Sequence, residues 1–149
     1  MYDRLLVPVD GSDPARAAAR HALELAAVHG STVHALYVVD TGTNWLTVSK
    51  REVRESLRQL GESEGRGVLA DVERLAAERN VPVVTELREG AVEGTILDYA
   101  AEHDVDLVVM GTHGREGARR RIVGSVAERV VREATVPVTT VTGATRADE

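Results

Sequence analysis

Residues 4–40 read RLLVPVDGSDPARAAARHALELAAVHGSTVHALYVVD, and the order of patterns in this stretch decides the fold. Arg4 to Asp10 is a continuous apolar run of strand length, as expected of a strand buried on both faces. In the GSDP that follows, Asp13 is suited to cap a helix, with Pro14 at its first position and Gly30 closing it. Between those ends, Ala18, Ala22, Leu25 and Ala26 recur at helical spacing. Ser31 to Asp40 then reads as a second strand. A strand, a helix and a strand with short connections predict a parallel pair crossed by the helix.

The rest of the chain repeats that alternation. TGTNWLTV, residues 41–48, reads as a loop carrying the only tryptophan, Trp45. The pattern from Ser49 to Arg79 is helical. Gly61, Gly65 and Gly67 interrupt it at about 1 kcal/mol each against alanine, which predicts a break or kink near 61–67. VPVVTEL (81–87) is a third strand, and EGAVEG leads into an amphipathic helix with Ile96, Leu97, Ala100 and Ala101 on one face. VDLVVM (105–110) is a fourth strand. A glycine-rich loop follows, then a short helix with Val126, Val130, Val131 and Ala134 inward. VPVTTVT (136–142) is the fifth strand, and residues 143–149 read as a tail. The order βαβαβαβαβ predicts one α/β domain over residues 1–149: an open, Rossmann-like, five-stranded parallel sheet with helices on both faces.

Composition narrows the function classes. The chain has 149 residues, 43% of them apolar, and a net charge of −6. That charge argues against nucleic-acid binding, which needs a basic face. Only Lys50 among the 18 basic residues is a lysine, a bias that fits a salt-rich cell or a GC-rich genome equally well. The absence of cysteine excludes disulfides, thiol catalysis and Cys-ligated metals. No run approaches the roughly 18 apolar residues of a membrane span, and the start has no signal-peptide pattern. A cytoplasmic protein without membrane contact is the expectation. The five histidines, 21, 29, 34, 103 and 113, show no metal-ligand spacing.

The loop after the fourth strand carries the chemistry. It begins GTHGREGARRRIVGSVAERV at residue 111, spelling Gly111-x2-Gly114-x9-Gly124-Ser125. A Walker loop needs GxxxxGK[ST], and the one lysine lies elsewhere. A dinucleotide fingerprint needs GxGxxG after the first strand, where DGSD stands instead. A phospho-receiver needs an aspartate after strand three and a lysine after strand five; neither is present. The remaining reading is an anion site. Gly111, Gly114 and Gly124 are expected to permit positive φ and close backbone approach, with Gly124 at a helix N-terminus that favours phosphate. Ser125 can donate its hydroxyl to a phosphate oxygen. With Glu128 it also spells S-x-x-E, a capping box.

Over nearly its whole length the chain resembles the universal stress protein family. LLVPVDGSDPARAAARHALELA looks like that family's opening, and GTHGREGARRRIVGSVAERVVREATVPV like its close. In the family, G-x2-G-x9-G-[ST] marks members that bind ATP. The resemblance implies strand order 3-2-1-4-5 and an ATP site. It places Asp10 on the ribose hydroxyls, Pro8 against the nucleoside and the backbone of Val38 on adenine. Met110, Thr112 and Val126 would line the same pocket, beside Gly111, Gly114, Gly124 and Ser125 at the phosphates. Mg²⁺ or Mn²⁺ would arrive with the phosphates and not through a protein cage. The implied function is a nucleotide-responsive binding module in stress response. It would be a homodimer through the fifth strand, where Thr139 and Thr140 replace more apolar residues typical of the family. A slow ATPase and a structural homodimer holding AMP or a cyclic nucleotide are the alternatives. His113 and Arg119, Arg120 and Arg121 fit phosphate contact or a solvated surface, and Trp45 a lid or an exposed interaction point.

Overall fold

A computed structural model describes residues 1–41, 51–112 and 124–143. The elements are β1 (Arg4–Pro8), α1 (Asp13–His29), β2 (Thr32–Asp40), α2 (Arg51–Glu78), β3 (Val83–Gly90), α3 (Val92–Glu102), β4 (Leu107–Gly111), α4 (Ser125–Glu133) and β5 (Val138–Val141). All ladders are parallel and the sheet order is β3-β2-β1-β4-β5, as the resemblance implied. Among the described residues, no helix is long and apolar enough to cross a membrane.

Strand parity sorts the core into two layers. Leu5 and Val7 of β1, Val33, Ala35, Tyr37 and Val39 of β2, and Leu107 and Val109 of β4 face α1 and α2. Leu6, Leu36, Val108 and Met110 face α3 and α4, which contribute Ile96, Tyr99, Ala127 and Val130. Central strands buried on both sides are why their sequences read as unbroken apolar runs.

Several local expectations are corrected. Helix α1 is capped by Ser12, whose Oγ accepts the Ala15 N–H at 3.3 Å; Asp13 lies inside the first turn. Gly30 closes that helix at φ 70°, as read from the sequence. Helix α2 runs through 61–67 without a break. Its glycines are steric: a Cβ on Gly61 would stand 2.9 Å from Val39, and one on Gly65 2.5 Å from the Tyr37 ring. They let the helix axis approach β2 and β3 more closely than side chains would allow. On α3 the buried residues are Ile96 and Tyr99, and Ala101 is exposed. On α4 they are Ala127 and Val130, and Val131 is exposed. Trp45, His113, Gly114, Arg119, Arg120 and Arg121 lie outside the described residues.

Candidate functional site

The sheet order places a switch point between β1 and β4, because β2 and β3 extend from β1 one way and β5 extends from β4 the other. Connections diverge there and leave a crevice beyond the carboxyl ends of the strands. Register brings the candidate residues to it. Leu6 pairs with both His34 and Val108, so Pro8, Leu36 and Met110 stand at one level two residues on. Pro8, Val38 and Met110 share the parity of Leu6, Leu36 and Val108, and so lie on the α3/α4 side of the sheet. Val126, in the first turn of α4, packs on that same layer. The four residues form one apolar wall beneath the crevice, with Met110 buried and the other three partly exposed.

The backbone of Val38 is distinguished from that of its neighbours by direction. The β1–β2 ladder ends with the Val9 N–H donating to the Leu36 carbonyl at 2.9 Å. Backbone groups alternate sides along a strand, so those of Val38 turn the same way as those of Leu36, beyond the end of β1 at Pro8. Val39 turns toward β3, as Val33 does where its N–H donates to the Pro82 carbonyl.

Asp10 and Ser12 shape the turn after β1. The Asp10 Oδ1 accepts the Ser12 N–H at 2.9 Å, and Gly11 between them has φ 84°. Asp10 is partly exposed and closes an Asx turn through one carboxylate oxygen.

The helices that follow the two switch-point strands, α1 after β1 and α4 after β4, begin at this end of the sheet, and their N-termini are not equivalent. The first turn of α1 has few donors to offer an anion. Pro14 carries no N–H, and Ala15 and Arg16 donate to the Ser12 Oγ and carbonyl. Asp13 adds negative charge there. Helix α4 starts differently: Gly124 is its N-cap with no side-chain cap, and Ser125, at the first helical position, is exposed. The S-x-x-E capping box is therefore not formed. Glu128 instead pairs with Arg132 at 2.9 Å. The first-turn amides of α4 and the Ser125 hydroxyl are donors that the start of α4 can offer to an anion.

The glycines act differently from their sequence reading. Gly124 has φ −67°, open to any residue. Gly111 is outside the positive-φ set, and its requirement is space: a Cβ there would stand 2.8 Å from Pro14. The end of β4 thus lies flat on the start of α1. Thr112 ties the segment together, its N–H donating to the Val141 carbonyl at 3.0 Å and its carbonyl accepting the Gly124 N–H at 2.5 Å. This bond joins the two ends of the glycine-rich segment at its base and engages the Gly124 amide. Sequence reading missed Ser12 and the wedge role of Pro14; the SDP triplet carried both signals.

No group of three or more potential metal ligands occurs among the described residues. An open parallel sheet wound on both faces, with its crevice between β1 and β4, defines a doubly wound α/β protein. The chain belongs to the universal stress protein family, whose model matches residues 1–142. Universal stress protein MJ0531 of Methanocaldococcus jannaschii is 37% identical over 138 residues, spanning 93% of this chain and 81% of the relative. The solved structure of universal stress protein UspA from Lactobacillus plantarum is 32% identical with TM-score 0.81, covering 94% of this chain and 97% of that one. The universal stress protein from Archaeoglobus fulgidus, solved in complex with dAMP, has TM-score 0.69 at 24% identity, covering 94% of this chain and 98% of that one.

Proposed function

We propose that this protein binds ATP in the β1/β4 crevice and acts as a nucleotide-responsive binding module of the stress response. The observation that carries the reading is convergence. The Pro8, Val38, Met110 and Val126 wall and the uncapped start of α4 meet at the switch point, framed by Gly111-x2-Gly114-x9-Gly124-Ser125. In this reading the base lies on the wall and pairs with the outward backbone groups of Val38. Asp10 holds the ribose with the carboxylate oxygen not spent on Ser12. The phosphates lie on the Ser125 hydroxyl and the amides of Ser125 and Val126, since the Gly124 amide is held by Thr112. Thr112 and Gly111 border the phosphates, and Gly114 admits them. Mg²⁺ or Mn²⁺ comes with the phosphates.

The dAMP complex of the Archaeoglobus fulgidus relative supports a second reading, in which a mononucleotide occupies the same crevice. Homodimerisation through β5 and a cytoplasmic location complete the proposal. Strand β5 is at one edge of the sheet, and a self-complementary edge pairs with its copy about a two-fold axis.

The test is calorimetric titration with ATP and AMP of the wild type and a Gly114→Val, Gly124→Val variant, with circular dichroism to verify the fold. Gly124 has a φ that valine accepts, so the variant should fold and lose binding. Unchanged ATP binding by the folded variant would refute the phosphate assignment. Preference for AMP over ATP would select the mononucleotide reading.

A further inference from the structure

Away from the crevice, near the amino ends of the strands, a polar cluster is buried in the α3/α4 layer. His34, in β2, is 7% exposed, and its Nδ1 lies 2.6 Å from the hydroxyl of Tyr99, which is 1% exposed in α3. His103, at the C-cap of α3, stacks on the Tyr99 ring with centroids 4.0 Å apart and stands 5.6 Å from the His34 ring. Charged groups of both signs surround the pair. Arg4 comes from β1; Glu86 and Arg88 come from β3; Glu102 closes α3. The Arg88 guanidinium lies 4.8 Å from the Tyr99 ring centroid and bridges Glu86 at 3.0 Å and Glu102 at 2.7 Å. Asp106, before β4, is turned to the backbone amides of Asp3 and Arg4.

This arrangement suits a neutral imidazole. Burial pushes the Tyr99 phenol up to about 12, so it stays protonated and donates to an unprotonated Nδ1. Protonating His34 turns Nδ1 into a donor, forces the phenol to accept, and leaves the phenol's own proton in need of another partner. It also sets a charge in a dry site beside His103 and Arg4. Burial first, then His103 and Arg4, against the opposing pull of Glu86, hold the His34 imidazole below its ordinary value of 6.5. A histidine lowered in the fold binds fewer protons than in the unfolded chain. Its stabilising contribution is complete above pH 6.5 and declines as the pH falls below it.

We propose that the His34–Tyr99 pair is an acid-released latch that holds the C-terminal turn of α3 on the sheet. The turn offers internal reporters: the His103 and Val105 amides bond the Tyr99 and Ala100 carbonyls at 3.1 Å each. Hydrogen exchange on the full chain between pH 7.5 and 5, corrected for intrinsic rates, reads their opening. Below pH 6.5 their protection should fall by up to about tenfold per pH unit, the limit for one coupled proton. The Val33 and Val108 amides, in the sheet, should keep theirs. His34→Asn presents an oxygen to the Tyr99 hydroxyl without a titrating ring, and should flatten the response. Flat protection in the wild type, or the same loss in His34→Asn, overturns the latch. An NMR titration of the His34 ring in the wild type serves if the variant does not fold. A midpoint below 6.5 that coincides with loss of the α3 amides supports the latch; a midpoint at or above 6.5 overturns it.

Discussion

Gly65 and Gly67 sit two residues apart in α2, and alanine at each should move stability in opposite directions. At Gly67 a Cβ meets nothing within 4 Å. Gly67→Ala therefore gains helix propensity alone, about 1 kcal/mol. At Gly65 a Cβ would lie 2.5 Å from the Tyr37 Cδ1 and 2.9 Å from the Leu87 Cδ1. Carbon atoms pack best at roughly 3.5–4.0 Å, so the gap is short by about 1 Å. Tyr37 is 7% exposed and part of the first core layer, which leaves its ring little room to yield. Overpacking of this kind costs about 1–3 kcal/mol, and here it acts against the same propensity gain. The propensity gain cancels between the two, so Gly65→Ala should fall about 1–3 kcal/mol below Gly67→Ala. Urea unfolding followed by circular dichroism at 222 nm measures the difference directly. Equal midpoints for the two variants would refute close approach as the reason for glycine in this helix.

Asp10→Ala should weaken ATP and AMP alike by roughly tenfold to a hundredfold, because a hydrogen bond to a charged group contributes about 1.5–3 kcal/mol. Asp10→Asn keeps an acceptor for the Ser12 N–H, so calorimetry should show weakened binding with wild-type thermal stability; a defect limited to ATP would move Asp10 to the phosphates. Thr140→Pro should give a folded monomer by light scattering, since the Pro137 and Val141 carbonyls face β4 and alternation turns the Thr140 N–H outward. A folded variant that stays dimeric at tens of micromolar would place the interface elsewhere. The amides of Arg4 and Asp3 hold the Asp106 carboxyl below its ordinary value of 3.8. Its stabilising contribution is present above that value and is lost as the pH falls through the lowered one, so Asp106→Asn should flatten the acid limb of stability against pH. An unchanged acid limb would remove Asp106 as a contributor.

Much of this fold was legible because its central strands are buried on both faces and its helices on one. Leu5 to Val7 and Leu107 to Met110 are fully apolar and read as strands without ambiguity. The kink expected in α2 shows where local reading stops: glycine lowers intrinsic helicity, but Gly61 and Gly65 answer to Val39, Tyr37 and Leu87 in β2 and β3. Gly111 repeats the lesson, its small size serving Pro14 about a hundred residues earlier and not its own φ. The capping box at Ser125 failed for a similar reason. The helix begins one residue earlier than the S-x-x-E pattern requires, with the cap at Gly124 tied to Thr112. Pro8, Val38, Met110 and Val126 were named by resemblance, and strand order with parity explains why they share a wall. The His34–Tyr99 contact had no sequence signal, since residues 65 apart meet only once α3 folds over β2.

Amide chemical-shift mapping during a titration with Mg²⁺–ATP tests the binding assignment most directly. The account predicts saturable shifts at Val38, Thr112, Ser125 and Val126, at the carboxyl ends of β2 and β4 and the start of α4, with the amides near His34 unmoved. Absence of saturable shifts, or shifts gathered at the amino ends of the strands, would contradict it.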